Sequence, residues 1–369
     1  MKLTVLQENL SNCLSITSHF ISSRPQLPIL SNFLLVAKKN RFKISATNLE
    51  MGINCYSGAK IEKEGKITVL ARPFLEFISS LPADKTNLEL KKGGLEISCG
   101  RFKATFPTTS STDFPRIPVH SSEKLTLPFS LFSEAITEVI FAASTDEGRP
   151  ILEGVCFQFT GKECQIEATD GYRLSQKKLI LKKGQKQMKF ILPASVLNEI
   201  IKLKPKGELL EIGLSNKEKQ AVFFFPNIEI TSRLLEGEFP DIEQVIPQSK
   251  ETTVLVDREE LQNAVRLASI FARESANIVK IETVNGAIEI SANSPQVGEN
   301  QSSVEADIKG KPQKIAFNFR FLLDFLQAIN KKQILIELNG PLDPVVFKIP
   351  NDKSFLHVIM PVRLQEEEG

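Results

Sequence analysis

Apolar positions along this chain of 369 residues follow a pattern that occurs three times. Residues 3–20, 125–142 and 254–271 each open with a short alternating run, the mark of a strand with one buried face. Each continues with apolar residues at helical spacing, such as Phe132, Ile136, Val139 and Ile140. With Leu10, Phe132 and Leu261 set level, Leu14, Ile136 and Val265 fall level too. A second strand–helix pattern recurs at 69–81, 191–203 and 317–329. There Phe74, Val196 and Leu322 match, as do Ile78, Ile200 and Leu326. Strand-like runs ending at Asn48, Asp170 and Asn293 keep the same spacing. A strand feeding one amphipathic helix cannot bury both its faces alone, so three stacked copies of one α+β module are expected. Each copy holds two strand–helix half-units. The modules are expected at 1–121, 122–247 and 248–369.

Between these elements, strands are expected at 33–37 and 42–46 around a Lys38–Asn40 turn. A hairpin is expected across Lys91–Gly94, followed by a strand at 102–106. Asn285-Gly286 suits a type I′ turn because both residues tolerate positive φ. A strand at 151–159 is expected to turn at Gly161 and return over 165–168. The stretch 177–189, with six lysines and no acid, reads as a solvated loop.

Composition narrows the class. No apolar run approaches 18 residues, which argues against a membrane-spanning helix, and Glu8 comes too early for a secretory leader, so a cytoplasmic protein is expected. Five cysteines without metal-ligand spacing read as reduced thiols. The net charge of +2 is unevenly spread: the first module carries 16 basic against 9 acidic residues, and the other two are slightly acidic. This allows a basic face on the first module, but charge this dispersed more often serves solubility alone.

Catalytic machinery is hard to find. His19, His120 and His357 stand apart from carboxylates and cysteines in sequence, and no phosphate-binding loop or zinc-protease motif occurs. Cys156 alternates with apolar neighbours as a buried strand residue does. Asp170 precedes Gly171 after a strand, the position of a turn former. With no tryptophan and two tyrosines, the chain lacks stacking platforms for reading bases.

Six short motifs occur in order: Arg24-Pro25 with Leu27-Pro28-Ile29-Leu30, Thr47-Asn48-Leu49-Glu50-Met51, Asp113-Phe114-Pro115, Ala168–Leu174, Glu238-Phe239-Pro240-Asp241, and Met360-Pro361-Val362-Arg363-Leu364. Together with the triple repeat, the whole chain resembles the bacterial sliding clamps, the β subunits of DNA polymerase III. The resemblance implies three DNA-clamp modules forming half of a closed ring, with helices inside and sheets outside. It implies a head-to-tail homodimer that encircles double-stranded DNA without reading sequence. Such a ring tethers the replicative DNA polymerase and other clamp-binding proteins through short linear peptides, is placed on DNA by a clamp loader, and uses no metal or cofactor.

Carried over residue by residue, the family's peptide cleft falls on Leu152, Thr169, Gly171, Tyr172, Arg173, Leu174, Pro240, Val245, Val346, Val358, Ile359, Met360, Pro361, Val362, Arg363 and Leu364. The implied DNA contacts are Arg24 and Arg149, and the implied subunit junction includes Phe106, Ile270 and Phe271. The chain departs from the family at Gln244, where some members carry arginine, and in an acidic extension over Gln365–Gly369. Two other readings compete: a monomeric peptide-binding scaffold, and an enzyme using Asp170 or Cys156.

Overall fold

The computed structural model describes residues 1–22, 27–39, 41–119, 123–203, 209–215 and 219–363. Arg24, the boundary expected between the first two modules at 121–122 and the segment from Leu364 onward lie outside these residues. Backbone contacts divide the chain into two compact units, Met1–Ser130 with Glu199–Leu234, and Leu131–Asn198 with Leu235–Gly369. The middle repeat thus contributes strands to both units.

Six α-helices appear among the described residues: α1 Gln7–Ser18, α2 Ala71–Ser80, α3 Phe129–Ile140, α4 Ala194–Lys202, α5 Arg258–Ala272 and α6 Phe319–Ala328. The positions matched in the sequence coincide in burial. Leu10, Phe132 and Leu261 are buried, as are Leu14, Ile136 and Val265, Phe74, Val196 and Leu322, and Ile78, Ile200 and Leu326. One apolar stripe per helix therefore anchors every copy.

The helices begin where the backbone finds a partner for its free N–H groups. Asp257 Oδ1 accepts hydrogen bonds from the N–H groups of Glu259 and Glu260 (2.9 and 3.1 Å), and Asn318 Oδ1 accepts from Arg320 N–H (3.0 Å). Helix α1 has no side-chain cap, and the Gln7 N–H donates instead to the Asp84 carbonyl at 3.0 Å. Arg258 joins the two helices of the third repeat: its Nε donates to the Lys331 carbonyl and its Nη1 to the Leu326 carbonyl, just past and within the end of α6.

The first unit holds a five-stranded and a nine-stranded sheet. The five-stranded sheet runs Lys60–Lys63, Lys2–Leu6, Lys85–Lys91, Gly94–Cys99, Phe102–Phe106. In the nine-stranded sheet, Met51–Gly58 of the first repeat pairs antiparallel with Ile228–Arg233 of the second, Ile53 opposite Ile230. In the ten-stranded sheet of the second unit, Arg173–Pro193 of the second repeat pairs with Asp352–Ile359 of the third, Ser175 opposite His357. Both seams between repeats thus follow one rule: the last strand of one repeat adds to the same sheet edge of the repeat before it.

The lysine-rich stretch departs from its sequence reading. Residues 177–189 lie within the strand Arg173–Pro193, laddered with Gly154–Thr169, and do not form a loop. Lysine count misleads here because both faces of the strand are covered near its start, where Leu174, Ser175, Gln176 and Lys177 are all buried. Lys177 Nζ lies 2.7 Å from Glu138 Oε2 and 3.2 Å from Asp352 Oδ2, so its charge is buried with two partners. The ladder shifts register on both sides of Gly161, which adopts φ +63°.

Candidate functional site

The turn between the two long strands of the second repeat is built by Thr169 and Asp170. Thr169 Oγ1 accepts from Gly171 N–H (3.1 Å) and donates to the Arg173 carbonyl (2.7 Å). Asp170 Oδ1 accepts from the N–H groups of Tyr172 and Arg173 at 2.9 and 3.0 Å. Gly171 sits at φ +93°, a conformation that penalises any side chain. The first repeat makes the same turn. There Asn48 Oδ1 accepts from Glu50 and Met51, and Thr47 Oγ1 accepts from Leu49, which holds φ +80° without being glycine.

This turn fixes one wall of an open groove of about 130 Å³. Leu152, Thr169, Gly171, Tyr172, Arg173, Leu174, Pro240, Val245, Val358 and Met360 line it, all residues singled out in the sequence. Asp241 and Ile242 also line it and were missed, although they lie between Pro240 and Val245. Beneath the groove, Cys156, Leu174, Ile191, Phe239, Ile242, Val346 and Val358 form one buried apolar cluster. Val346 therefore supports the groove from below and does not line it. Ile359 belongs to the separate core of the third repeat. Pro361, Val362 and Arg363 are not among the lining residues, and the Val362 N–H donates to the Ala316 carbonyl at 2.8 Å. Tyr172 (60 % exposed) and Val245 (42 %) stand open on the rim. The Met360 N–H donates to the Tyr172 carbonyl at 2.8 Å, tying the chain's last strand to the turn.

Arg173 is held from several sides. Its Nε donates to Asp170 Oδ2 (3.0 Å), its Nη1 to Asp324 Oδ2 (2.6 Å), and its guanidinium lies 4.6 Å from the Phe321 ring centre. Its charge is spent inside the fold, and Asp241 is the other charged residue among those that line the groove. Asp241 Oδ2 accepts from Gln244 Nε2 at 3.0 Å. Arg149 pairs with Asp146 at 3.3 Å, and its Nη1 would lie 3.2 Å from a Cβ placed on Gly171. Arg149 thus borders the same turn that shapes the groove.

In the first repeat the equivalent positions pack against each other. The pattern Asp113-Phe114-Pro115-x-Ile117 matches Glu238-Phe239-Pro240-x-Ile242, and Gly52 stands where the second repeat has Leu174. A Cβ on Gly52 would fall 3.0 Å from Ile117 Cγ2, so Ile117 occupies the space directly.

The two groups considered for catalysis are committed elsewhere. All of the hydrogen bonds drawn above make Asp170 a turn residue, with one carboxylate oxygen on backbone N–H groups and the other on Arg173. Cys156 is fully buried, and burial pushes its thiol up to about 12, far from a nucleophilic thiolate at neutral pH. His357 is fully buried beneath Arg173, with Nδ1 2.6 Å from Ser175 Oγ. His19, isolated in sequence, meets Glu199 at 2.6 Å in the fold. Among the described residues, no cluster of His, Cys, Asp or Glu could hold a metal ion, and no helix is long and apolar enough to cross a membrane.

Of the implied subunit-junction residues, Phe106 packs edge-on against Phe74 and Phe77 (5.5 and 5.6 Å between ring centres). Ile270 is 52 % exposed, and Phe271 packs partly buried on the core of the third repeat.

Repeated strand–helix modules on shared antiparallel sheets define a repeat-built clamp fold. Three family models match in succession: the N-terminal domain of the DNA polymerase III beta subunit over residues 1–118, its central domain over 126–241 and its C-terminal domain over 243–363. The beta sliding clamp of Synechococcus elongatus is 31 % identical over 99 % of this chain and 100 % of its own length. That of Bacillus subtilis is 30 % identical over 98 % and 100 %. The crystal structure of the Bacillus subtilis DNA polymerase sliding clamp superposes with a TM-score of 0.94 at 29 % identity, covering 99 % of this chain and 100 % of that one. The chain therefore belongs to the DNA polymerase III beta subunit family, the sliding clamps that serve as processivity factors.

Proposed function

We propose that two copies of this chain close head to tail into a ring around duplex DNA. In this reading the ring slides without reading sequence, and the groove on each copy holds short peptides of the replicative polymerase, the clamp loader and other partners. The observation that carries the proposal is the seam rule. Both internal seams join a last strand to the same edge of the preceding repeat. Two matching edges remain without a ladder partner on that side among the described residues: Phe102–Phe106 of the first repeat, and the 298–305 part of Gly298–Gly310 in the third.

The rule also supplies a register. Ala104 faces Ile97 as Ile230 faces Phe223, and Gln301 faces Ser291 as Ile53 faces Ala46. Ala104 of one copy is therefore expected opposite Gln301 of the other, as Ile230 stands opposite Ile53.

The repeats are assigned to 1–121, 122–247 and 248–369. Arg24 and Arg149 are assigned to DNA, by non-specific and salt-sensitive attraction to phosphates. Tyr172 and Met360 with the apolar floor suit aromatic and leucine anchors of a linear peptide. No catalytic step is assigned to the chain, and its working place is the cytoplasm. The deciding experiment loads the chain on nicked circular DNA and washes with salt. Retention on the circle and release on linearisation is the expected result; equal retention on both forms, or a monomeric solution mass, defeats the ring and favours a monomeric scaffold.

A further inference from the structure

Outside the groove, two cysteine side chains meet in the first repeat. Cys13, on the buried face of α1, and Cys55, on the strand Met51–Gly58, place their sulfur atoms 2.7 Å apart. They are separated by 41 intervening residues and come from different element types, so no sequence spacing announces them. A disulfide bond is about 2.04 Å long, so a shift of well under 1 Å would complete one. We propose that Cys13 and Cys55 form a reversible dithiol–disulfide pair that covalently fastens α1 to the strand carrying the first seam.

The two thiols are not equivalent. Cys55 donates its S–H toward Cys13, which holds the Cys13 thiol below its ordinary range; Cys55 is pushed up by the same contact and by burial. Cys13 is also the more exposed, at 6 % against 2 %. Cys13 is therefore the sulfur that meets an oxidant first, as thiolate character and access both require.

The oxidant class is a hydroperoxide. The Cys13 thiolate attacks one peroxide oxygen and the O–O bond breaks. With hydrogen peroxide, the departing hydroxide takes the proton that Cys13 gave up and becomes water, leaving Cys13 as a sulfenic acid. The Cys55 sulfur then attacks the Cys13 sulfur, the S–O bond breaks, and hydroxide leaves with the Cys55 proton as a second water. Two thiols are oxidised to one disulfide, and one peroxide is reduced to two waters. A dithiol reductant reverses the bond. The remaining cysteines are placed differently: Cys99 points its S–H at the Pro82 carbonyl, and burial raises Cys156 and Cys164 to about 12 each.

The test uses the full chain with its native fold confirmed by circular dichroism. It is treated with hydrogen peroxide, quenched in acid, alkylated while denatured, and mapped by mass spectrometry. The expected result is a linked Cys13–Cys55 peptide, two of the five thiols protected, and full recovery of alkylation after dithiothreitol. The oxidised chain should melt at a higher temperature than the reduced one, and Cys13→Ser and Cys55→Ser should each lose both the link and the shift. Recovery of both cysteines as separate alkylated peptides from a natively folded, peroxide-treated parent overturns the proposal, whatever the variants do. So does cross-linking spread evenly over the other cysteines.

Discussion

Arg173 and Asp324 meet at 2.6 Å although they lie 151 positions apart in the chain, and this contact joins the groove turn to helix α6. The Arg173 side chain is only 9 % exposed, so removing it strands its partners and costs more than breaking a surface pair. Arg173→Ala should remove the pin that links Asp170, Asp324 and Phe321. A loss of about 3 kcal/mol is expected, because a buried carboxylate loses its cation. Arg173→Lys should recover only part, since an ammonium cannot bridge two carboxylates in a fixed fork. Urea unfolding followed by peptide titration checks both effects; unchanged midpoints and affinity would remove Arg173 from its structural role.

Peptide affinity should reside in the apolar rim. Tyr172 and Met360 flank the groove and are tied together by one backbone hydrogen bond. Buried anchor contacts are often worth ~2 kcal/mol each. The double variant Tyr172→Ala, Met360→Ala should weaken binding of a labelled peptide with leucine and phenylalanine anchors well over tenfold. Its solution mass and its retention on circular DNA should not change. Parent-like affinity would place the partner site elsewhere.

The subunit junction is tested most cleanly at Ile270. This side chain is half exposed, whereas Phe271 also packs on the third repeat's core, so a charge at Phe271 would damage the fold as well as any contact between copies. Ile270→Asp should give monomers by light scattering while keeping the parent's circular dichroism. The register is checked separately by pairing Ala104→Cys with Gln301→Cys. Oxidation should then link two chains, and a cross-link that prefers neighbouring positions would shift the proposed ladder.

Stability should fall in mild acid through His357. Burial, and then the nearby Arg173 charge, hold its imidazole well below the ordinary 6.5. The folded state keeps His357 neutral, while the unfolded chain protonates it near its ordinary value. The unfolded state therefore binds more protons below pH 6.5, and stability is full above that pH and lost as pH falls beneath it. His357→Phe should flatten this slope between pH 6.5 and 5 in chemical denaturation. An unchanged slope would remove His357 as its source; the Glu138 carboxyl, which burial raises, acts in the opposite direction, because its folded state takes up a proton first.

The repeat was legible because it is written in apolar spacing, which burial enforces directly. Leu14, Ile136 and Val265 had to be inside for each copy to fold, and they are. The groove's turn was legible for a related reason, since Thr169-Asp170-Gly171 encodes its own local hydrogen bonds. What escaped the sequence depends on residues brought together from afar. Lys177 looked like one more solvated lysine, because nothing nearby in sequence names Glu138 and Asp352 as its partners. Val346 and Ile359 carry the same apolar label as the lining residues, and only the sheet's two faces separate floor from core. The Cys13–Cys55 contact likewise has no periodic signature.

The strand edges at Phe102–Phe106 and 298–305 carry a consequence for handling the molecule. In a closed ring both are covered, but parting one junction bares two unsatisfied backbone ladders at once. Such edges are templates for any passing strand. The gap that admits DNA is therefore also a hazard for aggregation, and dilution or junction variants should favour clumping unless each opening is brief or shielded by whatever holds the ring apart.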